Sequence, residues 1–519
     1  MRRLTTMIAL VGLPLTTGCS EATFMDEGAE SPMRAEDDSA GASEAPEDDA
    51  DWTEDGEPEV EEELKALPPA TTPLYTFVAN PDRDTLTRIA VADLSVITAQ
   101  VGARPTQVVT TPDHSTAITF NADGDTISVV DAQDLSVQTI DIRADRNQMT
   151  VSSDGRWAIA YYDASADDST GSAGAQSFNE ISLVDIETLT EWPMVSGPNP
   201  RDVQFSSDSS MAIVVSDTYL SAIDLTADEP SPEHVELSPG VTSPPQAEEV
   251  VMAPDGSAAI VRLFGSNDLV HVDLTTMERA TLPVGDGPTD MDISPDGDEL
   301  IIVCRTAAEL WTVDLNDLNG EAVTIDLPTE TTLGSLVLAP DGTRGVLYST
   351  ASGDSLYALW DRTDDSITLR DLVKPPRAVG INPTGTTALI SHTRDNGSDV
   401  DSSSAFYSEP GLSIIDLDSL FSSSLLLPSE ATSFAHAEDG ETGFFIMDGE
   451  PYLEILDFNT LIHEQVTLKS DPVFLGAMPQ TNTAFVSQEH RLGRISFFDA
   501  DTEELNTITG FELNADIEH

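Results

Sequence analysis

The sequence predicts an all-β fold, a single β-propeller of about ten four-stranded blades. Three observations carry that expectation. An apolar residue followed by Asp recurs along the chain, a Pro-Asp-Gly type of turn recurs ahead of it, and the strands between are short and apolar on both faces. The stretch PTDMDISPDGDELIIVCRTAAELWTVDLNDL, from Pro288, shows a whole unit: strand, tight turn, strand, polar turn, strand. Repetition at this interval is the mark of an array of small sheets. A β-sandwich is the competing all-β reading, but ten regular units exceed what one sandwich needs.

The third strand of each unit closes on the apolar-Asp pair, from Val130-Asp131 and Val184-Asp185 through Val313-Asp314 to Phe498-Asp499, with Asp93 in a looser first copy. A short Asp side chain accepts backbone N–H groups at the start of a hairpin turn. Leu or Met often follows four residues later, where it closes the loop over the core. Between the first and second strands stand Pro254-Asp255-Gly256, Pro295-Asp296-Gly297 and Pro340-Asp341-Gly342, with variants such as Pro112-Asp113 and Pro479-Gln480. Pro fixes one torsion and Gly accepts positive φ, so this is a tight hairpin. Undisturbed copies lie about 41 to 47 residues apart, which suits four strands and their turns. Third strands such as ISVVD, LVHVD and ISFFD are apolar on both faces, as expected when each sheet packs between neighbours.

The first unit opens on LYTFVANPDRDTLTRIAVADL, equivalent to second and third strands, and lacks an inner strand. The tail ITGFELNADIEH runs past the last fourth strand. The expectation is that residues from Phe511 to Ile517 fill the vacant place, so that the two termini share the first blade and no open edge remains. Two smaller rings, or a ring of seven or eight with extra units, stay open as alternatives because no long linker separates the copies.

The repeat is interrupted twice between second and third strands, by residues 163–180 and 391–411. Equivalent loops leave a propeller at one end, so both crown one face, from units three and eight on opposite sides of the ring. Loops on a rigid scaffold commonly carry binding, and Phe178, Phe406 and Tyr407 are candidate apolar anchors. Mobile polar insertions with no partner are the alternative. Loops entering the first strands open on the same face and bring Arg104, Arg146, Arg201, Asp202, Asp290 and Arg377 to the channel mouth, where arginines would offer an anion site or pair locally with carboxylates.

Chemistry motifs are sparse. The eight His residues form no HExxH or paired set, there is no CxxC, and no GxSxG elbow, P-loop or dinucleotide-binding glycine pattern occurs. No cofactor is predicted. Asn121 to Asp125 and Asp163 to Asp168 carry oxygen ligands suited to weak Ca²⁺ binding, or simply turns. Cys304, in the strand LIIVCR, is expected as a small buried side chain.

The chain has 519 residues and a formal net charge of -70. Such a surface repels phosphate backbones, which argues against nucleic-acid partners; it tolerates cationic ligands, and it suits solubility or a saline habitat.

Residues 1–19 read MRRLTTMIALVGLPLTTGC: two arginines, an apolar core too short to span a bilayer, and small residues before Cys19. This resembles the bacterial lipoprotein signal peptide, with residues 1–18 removed and Cys19 acylated by palmitate-like chains. Thr16 stands where that pattern usually has Leu, Val or Ile, and Leu15 lies one place back; an ordinary secretory signal cut elsewhere is the alternative. The resemblance implies a lipid anchor in the cell envelope. Ser20 after the Cys implies the outer membrane, on either side. Residues 19–70 form an acidic tether whose composition cannot build a core, and residues 71–519 form the propeller.

From Leu74 to about Ile517 the units resemble the YVTN and lactonase-like group of bacterial propeller repeat proteins, with Ser294 to Gly297 as the SPDG turn and LVHVDLTT, Leu269 to Thr276, as the strand motif. That group includes lactone hydrolases, quinone-dependent enzymes and binding proteins, so the resemblance implies architecture and no particular activity. The expected function is an envelope-anchored binding or scaffold protein for an envelope protein, glycan or small ligand. A lactonase-like hydrolase at the channel mouth and a purely structural component are the alternatives.

Overall fold

The computed structural model describes residues 69–164 and 179–511, apart from positions 319, 321, 330, 399 and 491. Ten four-stranded antiparallel sheets follow one another along the chain, each in simple consecutive order from inner to outer strand. Blade 1 covers 70–100, blade 2 105–141, blade 3 148–195, blade 4 200–236 and blade 5 247–283. Blades 6 to 10 cover 288–326, 335–371, 378–426, 431–467 and 472–509. Among the described residues the single helical turn is a 3-10 turn at Pro81–Arg83, and no helix is long and apolar enough to cross a membrane.

The blades form one ring, and the core shows how it closes. Each of ten buried clusters joins two consecutive blades. Phe77 and Val108 meet between blades 1 and 2, Trp157 and Val203 between 3 and 4, and Leu389 and Phe434 between 8 and 9. The last cluster joins Ile89 of blade 1 to Phe485, Ile495 and Phe497 of blade 10. Third strands are apolar on both faces for this reason: each side serves a different neighbour.

The expected sharing of the first blade by both termini is corrected. Blade 1 consists of β1 (Ala70–Thr71), β2 (Tyr75–Asn80), β3 (Thr85–Ala90) and β4 (Val96–Gln100), and β1 takes the inner position. It is only two residues long because Pro69 and Pro73 bracket it and lack the N–H a ladder needs. Thr71 also accepts a bond from Thr110 Oγ1 of blade 2 at 2.9 Å. At the other terminus Glu504–Thr509 is the outer strand of blade 10. Phe511 is buried with Ile508 and Ile89, and residues 512–519 lie outside the described residues. The ring closes by face-to-face packing of blade 10 on blade 1.

The two turn signals behave as their chemistry demands. In nine blades, all but the first, the Asp that ends the third strand accepts backbone N–H bonds from its own turn, as Asp131 does from Gln133 and Asp134, both at 2.8 Å. In blade 1 Ala90 ends that strand and Asp93 caps the turn from three residues on, accepting from Ser95 N at 3.0 Å. Four places after the strand's last residue the chain is left-handed in every blade but the fourth and sixth; Leu135, Met277 and Leu461 have φ of 59°, 56° and 57°. Left-handed backbone costs a non-glycine residue about 1–2 kcal/mol, and these side chains offset it by packing into the clusters between blades.

Candidate functional site

Strand direction assigns every loop to an end of the ring. First-to-second and third-to-fourth turns form a capped end, built from the aspartate turns. Second-to-third loops and the connections between blades form the mouth end, which holds the inserted loops and the start of β1.

The inner strands line the channel, and their exposed edges need hydrogen-bond partners. The neighbouring blade supplies them. Gln107 of blade 2 both accepts from Met149 N, at 3.2 Å, and donates to Met149 O, at 2.8 Å. Glu249 Oε1 accepts from Met291 N at 3.1 Å, Asp290 Oδ2 accepts from Leu336 N at 2.6 Å, and Gln204 donates to Val250 O at 2.8 Å. These residues pin blade 2 to blade 3 and, in succession, blades 4 to 7. Asp202 and Asp290 belong to this girdle. They are 5% and 3% exposed, and Asp202 accepts from Gln204 at 2.8 Å.

The mouth arginines are individually engaged. Arg104 occupies the left-handed residue before the inner strand of blade 2, with φ 52°; its N–H donates to Asp84 and its guanidinium lies 3.2 Å from Asp123. Arg201 bonds Asp217, which also accepts from Asn199 at 2.8 Å, and reaches Gln246 at 3.1 Å. Arg146 stands 3.6 Å from Glu180, and burial holds its pKa below the ordinary value. Arg377 donates its backbone N–H to Ser391 O at 2.8 Å and is likewise lowered by burial. Arg262, which the sequence reading passed over, forms pairs with Glu248 and Glu249; burial opposes its charge, but the two carboxylates outweigh that and raise its pKa. A buried-looking strand position gives no sequence signal for such a pair.

The second insertion is an ordered structure on blade 8. Lys374, in the connection from blade 7, is fully buried and donates to Glu409 O at 3.0 Å. Burial lowers its pKa, with Asp395, Glu430 and Glu409 acting against that shift. Arg394 donates through its backbone to Glu430 at 2.9 Å and through its guanidinium to Glu409 at 3.3 Å and Pro428 O at 3.1 Å. Asn396 and Ser408 bond each other twice across the loop, and Ser398 N reaches Gly353 O of blade 7 at 3.1 Å. A shallow depression of about 250 Å³ lies between this loop and blade 7, lined by Ser355, Asp371, Leu372, Val400, Asp401 and Ser404. Phe406 packs over Gly411, where even a methyl group would sit 2.8 Å from its ring. Tyr407 is 43% exposed. Phe178 and the first insertion from 165 to 178 lie outside the described residues, as does Cys19.

The remaining candidates are structural side chains within single blades. The last residue of the second strand bonds a Ser or Thr of the third: Asn80 to Thr87 at 2.8 Å, Asn121 to Ser128 at 2.9 Å, His392 to Ser413 at 2.8 Å. His392 is therefore one variant of a repeated polar position. Its other nitrogen meets Pro375 O at 2.9 Å, and burial lowers its pKa to about 4. Ser413 is 1% exposed, so no substrate can approach its hydroxyl. Cys304 is fully buried, which pushes its thiol up to about 12. Among the described residues no group of three His, Cys, Asp or Glu could hold a metal ion.

One feature at the mouth carried no repeat signal. The connection between blades 4 and 5, residues 237–246, is uncharged, and its Val241 is 50% exposed. Beside it Phe264 is 63% exposed and donates its N–H to Gln246 O at 2.9 Å.

No protein-family model matches this chain, and no curated protein matches it. Among solved structures it is similar to a eukaryotic initiation factor, at 10% identity over 76% of this chain and 97% of that one, with a TM-score of 0.49. Dihydro-heme d1 dehydrogenase NirN matches at 13% identity over 63% of this chain and 70% of that one, TM-score 0.40. The β-propeller domain of Myceliophteria thermophila Cps50 matches at 12% identity over 55% and 93%, TM-score 0.35.

Proposed function

We propose that this protein is a lipid-anchored binding or scaffold ring of the bacterial envelope, held through acylated Cys19, with the mouth end as its recognition surface. The observation that carries this reading is the ordered insertion on blade 8. A loop braced by a buried lysine, an arginine and reciprocal side-chain bonds keeps a fixed shape, and a fixed polar surface lowers the ordering cost of binding. The lactonase-like alternative needs free acids and bases at the mouth; Asp202 is buried and bonded within its own strand, Asp290 holds the next blade and Arg201 is paired with Asp217, which favours recognition over hydrolysis.

Two experiments test the reading. Metabolic palmitate labelling of the full chain should disappear in Cys19→Ala; equal labelling in both removes the anchor. A photo-crosslinking amino acid at Tyr407 should give a discrete adduct in intact envelopes, whereas the same group at Ile462, on the outer rim and 59% exposed, should give none. Matching adduct patterns at both positions would reject the mouth as the recognition surface.

A further inference from the structure

We infer that the mouth end is apposed to the bilayer and that Phe264 and Val241 contact the lipid surface. The inference rests on the anchored reading above and goes further, by naming which end meets the membrane. Three observations combine. The chain enters the fold at Pro69, at the mouth end of the short β1, so the segment leading back to Cys19 leaves from that end. The 49 residues between Cys19 and Pro69 reach at most about 170 Å. That length permits either end to face the bilayer, so surface chemistry has to decide.

The charge distribution separates the ends. Arg104, Arg201, Arg262, Arg305, Arg377 and Arg394 all stand at the mouth, as does Lys374. Among the described residues the capped end has Arg88, Arg156, Arg279, Arg344 and Arg362, against capping aspartates in every blade. Both ends are acidic, and the mouth cations pair with Asp123, Asp217, Glu248, Glu249 and Glu409, but the mouth carries the larger share of positive charge and is repelled less by anionic headgroups.

Exposed apolar side chains occur at both ends, but their surroundings differ. Val241 lies in the uncharged stretch 237–246, Phe264 is tied to that stretch by its N–H bond to Gln246 O at 2.9 Å, and Val473 is 61% exposed at the start of the inner strand of blade 10. An added Cβ at Gly240 or Gly265, the turn glycines beside them, would meet nothing within 4 Å, so the knob stands clear of the ring. At the capped end Leu74, Val323, Phe421 and Ile462 are comparably exposed, but they are scattered singly over blades 1, 6, 8 and 9, and Phe421 and Ile462 stand within five residues of Asp416 and Asp418 or of Asp457 and Glu464. A protruding aromatic on an uncharged loop supplies the second, weaker membrane contact that complements an acyl anchor.

The test uses the full-length acylated protein in vesicles of phosphatidylethanolamine with a minority of phosphatidylglycerol. Native Cys304 is fully buried, so an environment-sensitive thiol probe can be placed selectively at Phe264→Cys or at Phe421→Cys. Both side chains are exposed and tolerate replacement; Val241→Cys serves as an independent mouth position. The expected result is quenching by nitroxide-labelled lipid that is about twofold or more stronger at 264 and 241 than at 421. Protein that floats with the vesicles but is quenched equally at all three positions overturns this inference alone. Protein that fails to float overturns the anchor, and the inference with it.

Discussion

At the capped end Asp131 accepts two backbone N–H bonds at 2.8 Å and stays in solvent; at the mouth Asp290 accepts one at 2.6 Å and is 3% exposed. The chemistry is the same, a carboxylate holding backbone N–H groups. The difference is what surrounds it. At the capped end water can replace the carboxylate, so each bond is modest and the device can be repeated in blade after blade. At the mouth the acceptor sits between two blades, where an orphaned donor would have no water. Asp185 is the exception at the capped end, buried at 2% and paired with Arg156 at 3.0 Å. Repetition there builds the ring, and departures from repetition at the mouth give it an individual surface.

Four measurements sharpen or break this contrast. The largest effect concerns buried histidine. Burial lowers the pKa of His392 and of His436 to about 4, against 6.5 for a free imidazole. Between these values the unfolded chain takes protons that the folded chain refuses. The stability contribution is therefore complete above pH 6.5 and is lost as pH falls towards 4, by up to about 3 kcal/mol per residue. Gln488 fills the place of His392 in blade 10 and bonds Ser496 at 2.5 Å. His392→Gln should thus fold normally and flatten that part of the stability profile; an unchanged slope in urea titrations across this range would show that His392 is not buried neutral.

Next in size, Asp290→Ala should cost about 2–3 kcal/mol, because Leu336 N is left without an acceptor. Asp131→Ala should cost only about 1 kcal/mol, since water reaches its turn. Equal losses in equilibrium unfolding would erase the contrast between the ends.

A third comparison tests the capped end internally. Leu461 and Asp365 occupy the same left-handed turn position, both with φ 57°. Leu461 packs between blades 8 and 9 while Asp365 is exposed. Asp365→Gly should stabilise by roughly 0.5 kcal/mol and Leu461→Gly should destabilise by about 1 kcal/mol, as burial is lost. The smallest and most general effect is ionic strength. Salt should raise the melting temperature through screening of the -70 charge, more at neutral pH than near pH 4, where the carboxylates are partly discharged.

The architecture was legible in the chain because its signals are local. The residues that cap a turn, accept positive φ or alternate along a strand lie within a few positions of one another, and Val130-Asp131 with its eight equivalents and the looser Asp93 count ten units. The alternatives of two rings or a smaller ring fell only when ten clusters were seen to join consecutive blades. Shared closure failed because two residues between prolines, Ala70 and Thr71, look too short to read as a strand. Part of the acidity, read from the sequence as solubility or adaptation to salt, lies in capping carboxylates such as Asp131 and Asp273.

The candidate site was far less legible. Arg201, Asp202 and Asp290 were placed at the mouth by strand order, but nothing in that order pointed to their partners: Asp217 in the next loop, Gln204 two places along the same strand, and Leu336 in the next blade. Lys374 and Arg262 gave no warning, since burial depends on what folds over a residue. Phe264 and the 237–246 connection stood out only once their exposure was known.

The sequence by itself determined the strand order, the count of repeat units, the turn chemistry and which end each loop occupies, because these follow from the chain's own short-range geometry. Tertiary structure decided how blade 10 meets blade 1, which carboxylates are shielded from water, and which arginines are engaged. The closure and the shielded carboxylates depend on residues forty or more positions apart meeting across a blade boundary, and the arginine pairs on residues 13 to 19 apart that a hairpin brings together; no local pattern encodes the dielectric they find there.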